Sequence, residues 1–501
     1  MGPAEVRPQP RSMNAVVGAA TVVWASFVVL VGEIVATRMI APYVGVTLET
    51  LSAVIGVALA GISIGSWLGG RLADRLRPAH CLGPALFTGG LLLAGAPLII
   101  RALGDQSASS NPWTAVQLAL AAFFLPSLIL STVSPMVVKE LGERSGRLGA
   151  VAGGISALGT AGALAGNFTA GFLLVGSFRT SQILVLAGAA SMVLGGALVA
   201  LFGWSGKVRL TGVAMALVAF GAPSLDAALP CRVETEYACL NIDSPGPSAF
   251  LIRNNIYSQS YTDVADPRQL RFAYPKDIAA AVRSGFSEGP PSAFLYVGGG
   301  GYTLPLFFRS VYPASRHLVV EIDRAQAREV TAVLGADLPG KEITTDIGDA
   351  RVRVRSVAPG TYDVVVGDAF AGISVPWHLT TREFLESVRQ SLSPDGIYVM
   401  NLIDYGSYDL ARAEVQTFLE VFADVAVIAA PAVFSEAPGP GHNIVLVGGS
   451  RLPELGNLSA AVTDSASGSS VIGRDGARSV AGRSDTLTDA FAPVDQLLGR
   501  P

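Results

Sequence analysis

The sequence predicts a multi-span α-helical membrane domain followed by a doubly wound α/β domain with a small β lead-in. Three observations predict it. Of the 501 residues, 50% are apolar and only 15% are charged, against about 25% charged in an average soluble domain. The mean hydropathy is +0.48. Long apolar runs crowd the chain before about residue 226, and beyond it short β-rich and helical patterns alternate. The expected organisation is a tail over 1–13, a membrane domain over 14–226, an α/β domain over 227–450 and a flexible tail over 451–501.

A bilayer core of about 30 Å takes roughly 20 helical residues. Seven segments reach that length: Asn14–Thr37, Leu51–Leu72, Leu82–Leu103, Trp113–Val137, Leu148–Val175, Ser181–Phe202 and Val208–Leu225, the last being the shortest. The first is too long for the h-region of a signal peptide, and no small-residue cleavage site follows it. Small residues are dense in several spans, as in AGGISALGTAGALAG at 152–166, which lets helices approach closely in lipid.

Basic residues orient the spans. Arg7 and Arg11, then Arg71, Arg75 and Arg77, then Lys139, Arg144 and Arg147, then Lys207 and Arg209 fall on one set of ends. The alternate loops hold Arg38, Arg101 and Arg179 as their basic residues. The first set is expected in the cytoplasm. Seven spans then place the α/β domain outside it, on a multi-pass protein of the cell membrane whose partner is the lipid bilayer. Losing one span reverses that side. Cys231 and Cys239 lie close together after the last span. A disulfide between them suits an oxidising compartment, and two unrelated thiols are the open alternative.

Other classes drop out. A net charge of −4 gives no case for nucleic acid. Three cysteines and four histidines speak against a disulfide scaffold and a metal site.

In the second half, Glu236–Ile242 and Ala249–Tyr257 read as the β lead-in. The alternation follows. Strand Ser292–Val297 ends in Gly298, Gly299, Gly300 and Gly301, and a helix runs over Leu304–Val311. Strand His317–Ile322 leads to helix Ala325–Leu334, then Glu342–Thr345 to Asp346 and Asp349. Strand Thr361–Val366 ends at Asp368, and helix Thr381–Leu392 precedes strand Gly396–Leu402. Ala411–Phe422, Val425–Ala430 and an edge strand Asn443–Val447 complete the pattern. Beyond Leu452 apolar periodicity fades, with one short helix expected near Leu487–Leu498.

Two motifs carry chemistry. A strand, four glycines and a helix let a ligand approach bare backbone at a helix N-terminus. Glu321 closes the next strand twenty residues after Gly301, where an acid hydrogen-bonds ribose hydroxyls. The alternative is a tight turn plus a solvated carboxylate. Asp368 stands at a strand end of the same sheet edge as Glu321 and Asp349, where a carboxylate takes a proton from an amine nucleophile. An ordinary loop Asp is the bland alternative.

The segments LYVGGGG, HLVVEID, DIGDARVRV, YDVVVGDAF and VPWHLTTREFLESVRQSLSPDGIYVMNLI, spanning roughly Glu234 to Val447, resemble spermidine synthase, a polyamine aminopropyltransferase. That family implies a Rossmann-like, methyltransferase-like fold. GEIVATRMIAPYVGVTLET, GISIGSWLGGRLADR and the glycine-rich fifth span resemble the transporter-like (MFS-type) membrane half of fused spermidine synthases. By this resemblance Glu321 holds the ribose of decarboxylated S-adenosylmethionine, Asp349 contacts its adenine, and Asp368 deprotonates the attacking amine. Gln259 and Tyr274 match a glutamine and a tyrosine lining the pocket, and Tyr302 follows the glycine run.

The sequence also departs from that pattern. The family loop reads Gly-Gly-Gly-Asp-Gly, but Gly301 stands in the Asp position. A second Asp three residues beyond the catalytic one is replaced by Ala371, and the tyrosine's usual His neighbour by Pro275. Each lost charge-assisted hydrogen bond is worth about 1.5–3 kcal/mol, so two missing carboxylates weaken a cationic chain's binding roughly several hundredfold.

Three functions therefore remain open. One is a membrane-bound aminopropyltransferase-type transferase acting on a small amine, with methyl transfer as a variant. The second is a cofactor-free extracytoplasmic enzyme such as a glutaminyl cyclase, taking a peptide N-terminus, with Glu321 and Asp368 as acid and base. The third is a non-catalytic ligand-binding membrane protein. Glu33, an ionisable residue in a span, is expected to face the pocket and hold an ammonium, or else to contact Arg38. His378 is expected at the pocket wall. A homodimer is the assembly carried forward.

Overall fold

The computed structural model describes residues 13–44, 48–107, 112–202, 208, 211, 232–235, 237–254, 257–287, 289–334, 343–372, 374–435 and 439–499. The chain forms two compact units, Met1–Pro230 and Cys231–Pro501.

Among the described residues the first unit has six helices long and apolar enough to cross a membrane. They are α1 (Ala15–Val44), α2 (Leu48–Arg75), α3 (Pro78–Ser107), α4 (Trp113–Ser145), α5 (Leu148–Leu174) and α6 (Thr180–Phe202). Their apolar residues pack in one cluster built on Val28, Val35, Ile40, Leu86 and Leu184. Small residues set the helix contacts: a Cβ on Gly188 of α6 would stand 2.4 Å from the Gly90 carbonyl of α3. Only backbone against backbone fits there. Within α4 a π-helical turn over Leu120–Phe124 precedes Pro126. Proline supplies no N–H to the helix ladder, which locally rearranges. The expected seventh span, Val208–Leu225, lies outside the described residues apart from Val208 and Thr211.

The second unit opens with an antiparallel sheet in the order β1-β2-β3-β4. The strands are β1 (Val233–Glu234), β2 (Cys239–Asp243), β3 (Ala249–Asn254) and β4 (Tyr257–Asp263). Cys239 is disulfide-bonded and Cys81 is free; Cys231 is outside the described residues. Helix α7 (Ala273–Gly285) follows. Its alanine run was not anticipated as a helix, yet Ile278–Val282 are buried.

Then comes the doubly wound part. Its elements are β5 (Ala293–Val297), α8 (Thr303–Val311), β6 (Arg316–Glu321), α9 (Arg324–Leu334), β7 (Ile343–Ile347), α10 (Ala350–Arg355) and β8 (Tyr362–Gly367). Next are α11 (Arg382–Ser391), β9 (Leu392–Gly406), α12 (Asp409–Val421), β10 (Asp424–Ala429) and β11 (Gly439–Gly449). With β12 (Ser470–Ile472) added, the sheet order is β12-β10-β11-β9-β8-β5-β6-β7. The β9-β8-β5-β6-β7 stretch is parallel, whereas β10, β11 and β12 pair antiparallel. Every residue of β5 is buried, as a central parallel strand covered on both faces requires. One face packs against α10, α11 and α12 through Val354, Phe384 and Phe418. The other packs against α7, α8 and α9 through Ile278, Phe308 and Val330.

The expected flexible tail is a correction. Residues beyond Leu452 build α13 (Leu455–Asp464), β12 (Ser470–Ile472), α14 (Arg474–Ala481) and α15 (Val494–Leu497). Strand β12 pairs with β10, Val427 opposite Ile472. Few apolar residues suffice because well-placed ones land inward: Leu458, Val462, Ala477, Leu487 and Val494 are all buried.

Candidate active site

A cavity of about 380 Å³ opens at the carboxyl ends of the parallel strands of the second unit, the place where such sheets bind ligands. Its lining includes Gly298, Gly300, Glu321, Asp349, Asp368, Gln259, Tyr274 and His378, so eight of the twelve sequence-derived candidates meet there. Glu33 lies on α1 of the other unit. Gly299, Gly301 and Tyr302 form the back of the glycine turn, outside this lining.

The turn is built by positive φ and close approach. Gly298 has φ 97° and Gly300 φ 49°. A Cβ on Gly298 would stand 2.5 Å from the Asp368 carbonyl. Tyr302 takes the left-handed conformation, φ 58°, just before α8. Its buried ring lies under the turn and its hydroxyl hydrogen-bonds Thr345 at 2.7 Å. Its role is support, a correction to its reading as a pocket residue.

Glu321 is the anchor of this turn. Its Oε2 accepts the Gly299 N–H at 2.8 Å and its Oε1 the Asp323 N–H at 2.9 Å. Only 6% of the residue is exposed. Burial raises its pKa, with the Asp323 charge adding, against lowering by the backbone donors of Asp323, Gly299 and Gly300. The sheet order puts Glu321, the last residue of β6, across β5 from Asp368, just after β8.

On the Glu321 side, Ile322 stands 43% exposed at the cavity and Gln326 lines it. Asp349 caps α10, accepting the Arg351 N–H at 2.8 Å. A ribose's hydroxyls, an adenine face and its amino group fit this set: carboxylates with lone pairs to spare, bare glycine backbone and an apolar side chain. His378 Nε2 is 3.7 Å from Asp349 Oδ2. Burial lowers the His378 pKa, Asp349 opposing. Arg351 holds this wall, donating to the His378 carbonyl, to Thr381 Oγ1 at 2.9 Å and to Asp489. Asp489 comes from the segment once read as a tail.

On the other side, Asp368 Oδ1 accepts Asn401 Nδ2 at 2.9 Å, and Asn401 Oδ1 accepts Asn443 Nδ2 at 3.0 Å. Burial pushes the Asp368 pKa up to about 6, against the hydrogen bonds from Asn401 and Tyr274. Tyr274 is held as a neutral phenol, its pKa well raised by burial and by the Asp368 charge. Its single proton has two candidate acceptors, Asp368 and the Gln259 carbonyl at 3.4 Å. The carboxylate is the stronger acceptor. Strand β4 carries a bulge between the pairs Ile252–Ser260 and Arg253–Ser258. The extra residue is Gln259, so three consecutive residues, Ser258, Gln259 and Ser260, reach the cavity.

Sequence reasoning missed Asn401 and Asn443, although Asn401 is a polar break in the apolar strand GIYVMNL. The departure at Gly301 is fixed structurally. A Cβ there would lie 2.6 Å from Ser260 Cβ, and the Gly301 N–H donates to Ser260 Oγ at 3.0 Å. Gly301→Asp is expected to cost about 1–3 kcal/mol through overpacking, partly relieved by Ser260→Gly. Thermal unfolding of the full-length chain in detergent checks it.

No family model matches the sequence. The chain is 31% identical over 162 residues to a polyamine aminopropyltransferase of Vibrio vulnificus, covering 32% of this chain and 52% of that protein. It is 32% identical over 136 residues to a human eEF1A lysine and N-terminal methyltransferase, covering 25% of this chain and 19% of that one. Among solved structures, a probable spermidine synthase from Corynebacterium glutamicum aligns with TM-score 0.46 and 29% identity over 50% of this chain and 92% of the other. The chain spans about half the length of the Vibrio relative. Its homologues are transferases: aminopropyltransferases and related methyltransferases.

Proposed function

We propose that the chain is a membrane-anchored transferase that alkylates an amine, with Asp368 as the base and an S-adenosyl nucleoside as cosubstrate. The observation that carries the reading is Asp368 itself: a buried carboxylate with a pKa of about 6, held by Asn401 and Tyr274. Near pH 7 it is ionised yet basic enough to accept an ammonium proton. Glu321, Asp349 and the glycine turn hold the nucleoside. Asp368 takes a proton from the ammonium, the freed amine bonds to the carbon on the sulfonium, and the C–S electrons stay on sulfur as a neutral thioether. The relatives' names support aminopropyl or methyl as the group moved. The six-helix unit, with its transporter-like sequence, serves as the anchor.

Titration calorimetry of the full-length protein in nanodiscs, with decarboxylated S-adenosylmethionine and S-adenosylmethionine, tests this. Binding of one of them, weakened in Glu321→Gln, is expected. Absence of binding by both removes the nucleoside from the reading.

The Cys239 disulfide favours a second reading, since disulfides persist in oxidising compartments, where a nucleoside is not at hand. There the same base serves a glutaminyl cyclase on exported proteins. Asp368 takes the N-terminal ammonium proton, the amine attacks the side-chain amide carbon, and ammonia leaves. Ammonia release from a glutamine-initiated peptide without added nucleoside, absent in Asp368→Asn, distinguishes it. Paired reporters active on opposite sides of the membrane, fused to the full chain, decide the side.

A further inference from the structure

The sheet order sorts the carboxylates of the cavity into two groups. Glu321 ends β6, and Asp323 and Asp349 follow β6 and β7, on one side of the glycine turn after β5. On the other side, where β8 and β9 end and β11 begins, Asp368 is the one carboxylate among the described lining residues. Its neighbours along the sheet are the amides Asn401 and Asn443. Asp404, further along β9, is no substitute. It is fully buried, outside the lining, and accepts the N–H groups of Tyr405, Ala411 and Gly499 at 2.8–2.9 Å.

A diamine brings two ammonium groups, and the distal one needs its own counter-charge when buried. Among the described residues this side supplies none. What it supplies is neutral and directional. Asn443 donates to Asn401 and Asn401 donates to Asp368, which fixes both amides. Asn443 keeps its carbonyl oxygen and one N–H, and Asn401 keeps one N–H. That set matches a peptide unit, which offers one carbonyl and one N–H.

We infer that the Asp368 side of the cavity is a subsite for the N-terminal residue of a peptide, with Asp368 on the ammonium and Asn401–Asn443 on the adjoining amide. The inference rests on the reading of Asp368 as the amine-side base, and it applies to alkyl transfer and to cyclisation alike.

The test is titration calorimetry on the full-length protein in nanodiscs. The ligands are glutaminyl-alanyl-alanine amide, its N-acetyl form and putrescine. The free peptide is expected to bind at least about tenfold more tightly than putrescine and than its acetylated form. Asn443→Ala is expected to weaken the peptide about tenfold and leave putrescine unchanged. Putrescine binding as tightly as the peptide overturns the subsite while the amine reading stands. So does an Asn443→Ala variant that weakens both ligands alike. If no free amine binds the wild-type protein, the amine reading falls and takes the subsite with it. Should Asn443→Ala not fold, the wild-type order decides.

Discussion

Asp368→Asn is expected to lower kcat by about 10²–10⁴-fold, the usual contribution of a positioned base, while the fold persists. The asparagine still accepts from Asn401, so the local hydrogen bond survives. In the wild type, kcat/KM is expected to rise with pH through about 6, as Asp368 loses its proton. Stability runs the other way. The carboxyl's folded pKa lies above its unfolded value of about 3.9, so the fold prefers it protonated. Stability falls as pH rises from about 4 to about 6, by up to about 3 kcal/mol, and stays reduced above that. The variant escapes this cost. An inactive Asp368→Asn protein that is as stable as wild type at pH 7, or more so, separates chemistry from folding. Steady-state kinetics and thermal melts across pH 5–8 measure both, and an active variant would remove Asp368 from the chemistry.

Glu321→Gln is the second large effect, and it is of another kind. Both carboxylate oxygens accept backbone N–H groups. The amide keeps one acceptor and turns an NH₂ toward the other donor. One buried N–H of the glycine turn or of Asp323 loses its partner, which costs about 1–3 kcal/mol. Nucleoside affinity is expected to fall about ten- to a hundredfold with little direct effect on proton transfer. Calorimetry and kcat measured at saturating ligand show the division, and a kcat loss as large as that of Asp368→Asn would reverse it.

The elements around the glycine turn were legible in the sequence because each is locally marked. Strand β5 is continuously apolar, glycines close it, and an acid ends β6. Cavity residues carried on those marked strand ends, Glu321 and Asp368, were therefore found. What escaped depends on distant partners. Asn401 and Asn443 become a relay only because β11 pairs antiparallel with β9, and no local pattern announces that pairing. That Glu321 also anchors the glycine turn escaped because its backbone donors come from a turn folded back onto it. Helix α7 was missed since its alanines carry a weak periodic signal and are buried only by the sheet above them. The segment after Leu452 looked polar on average, but burial depends on where each apolar residue lands, not on the mean.

Residues 470–499 also bear on how the protein is made. Strand β12 covers the edge of β10, Asp489 ties Arg351, and the Gly499 N–H seats on Asp404. On the ribosome they emerge after the strand edge and the loops that they cover. Until they do, the sheet presents an unpaired edge, the kind that recruits other chains, and the His378 wall lacks its tie. Synthesis of this domain therefore passes through a window in which its sheet is formed yet still adhesive. Shielding by chaperones matters most at that moment.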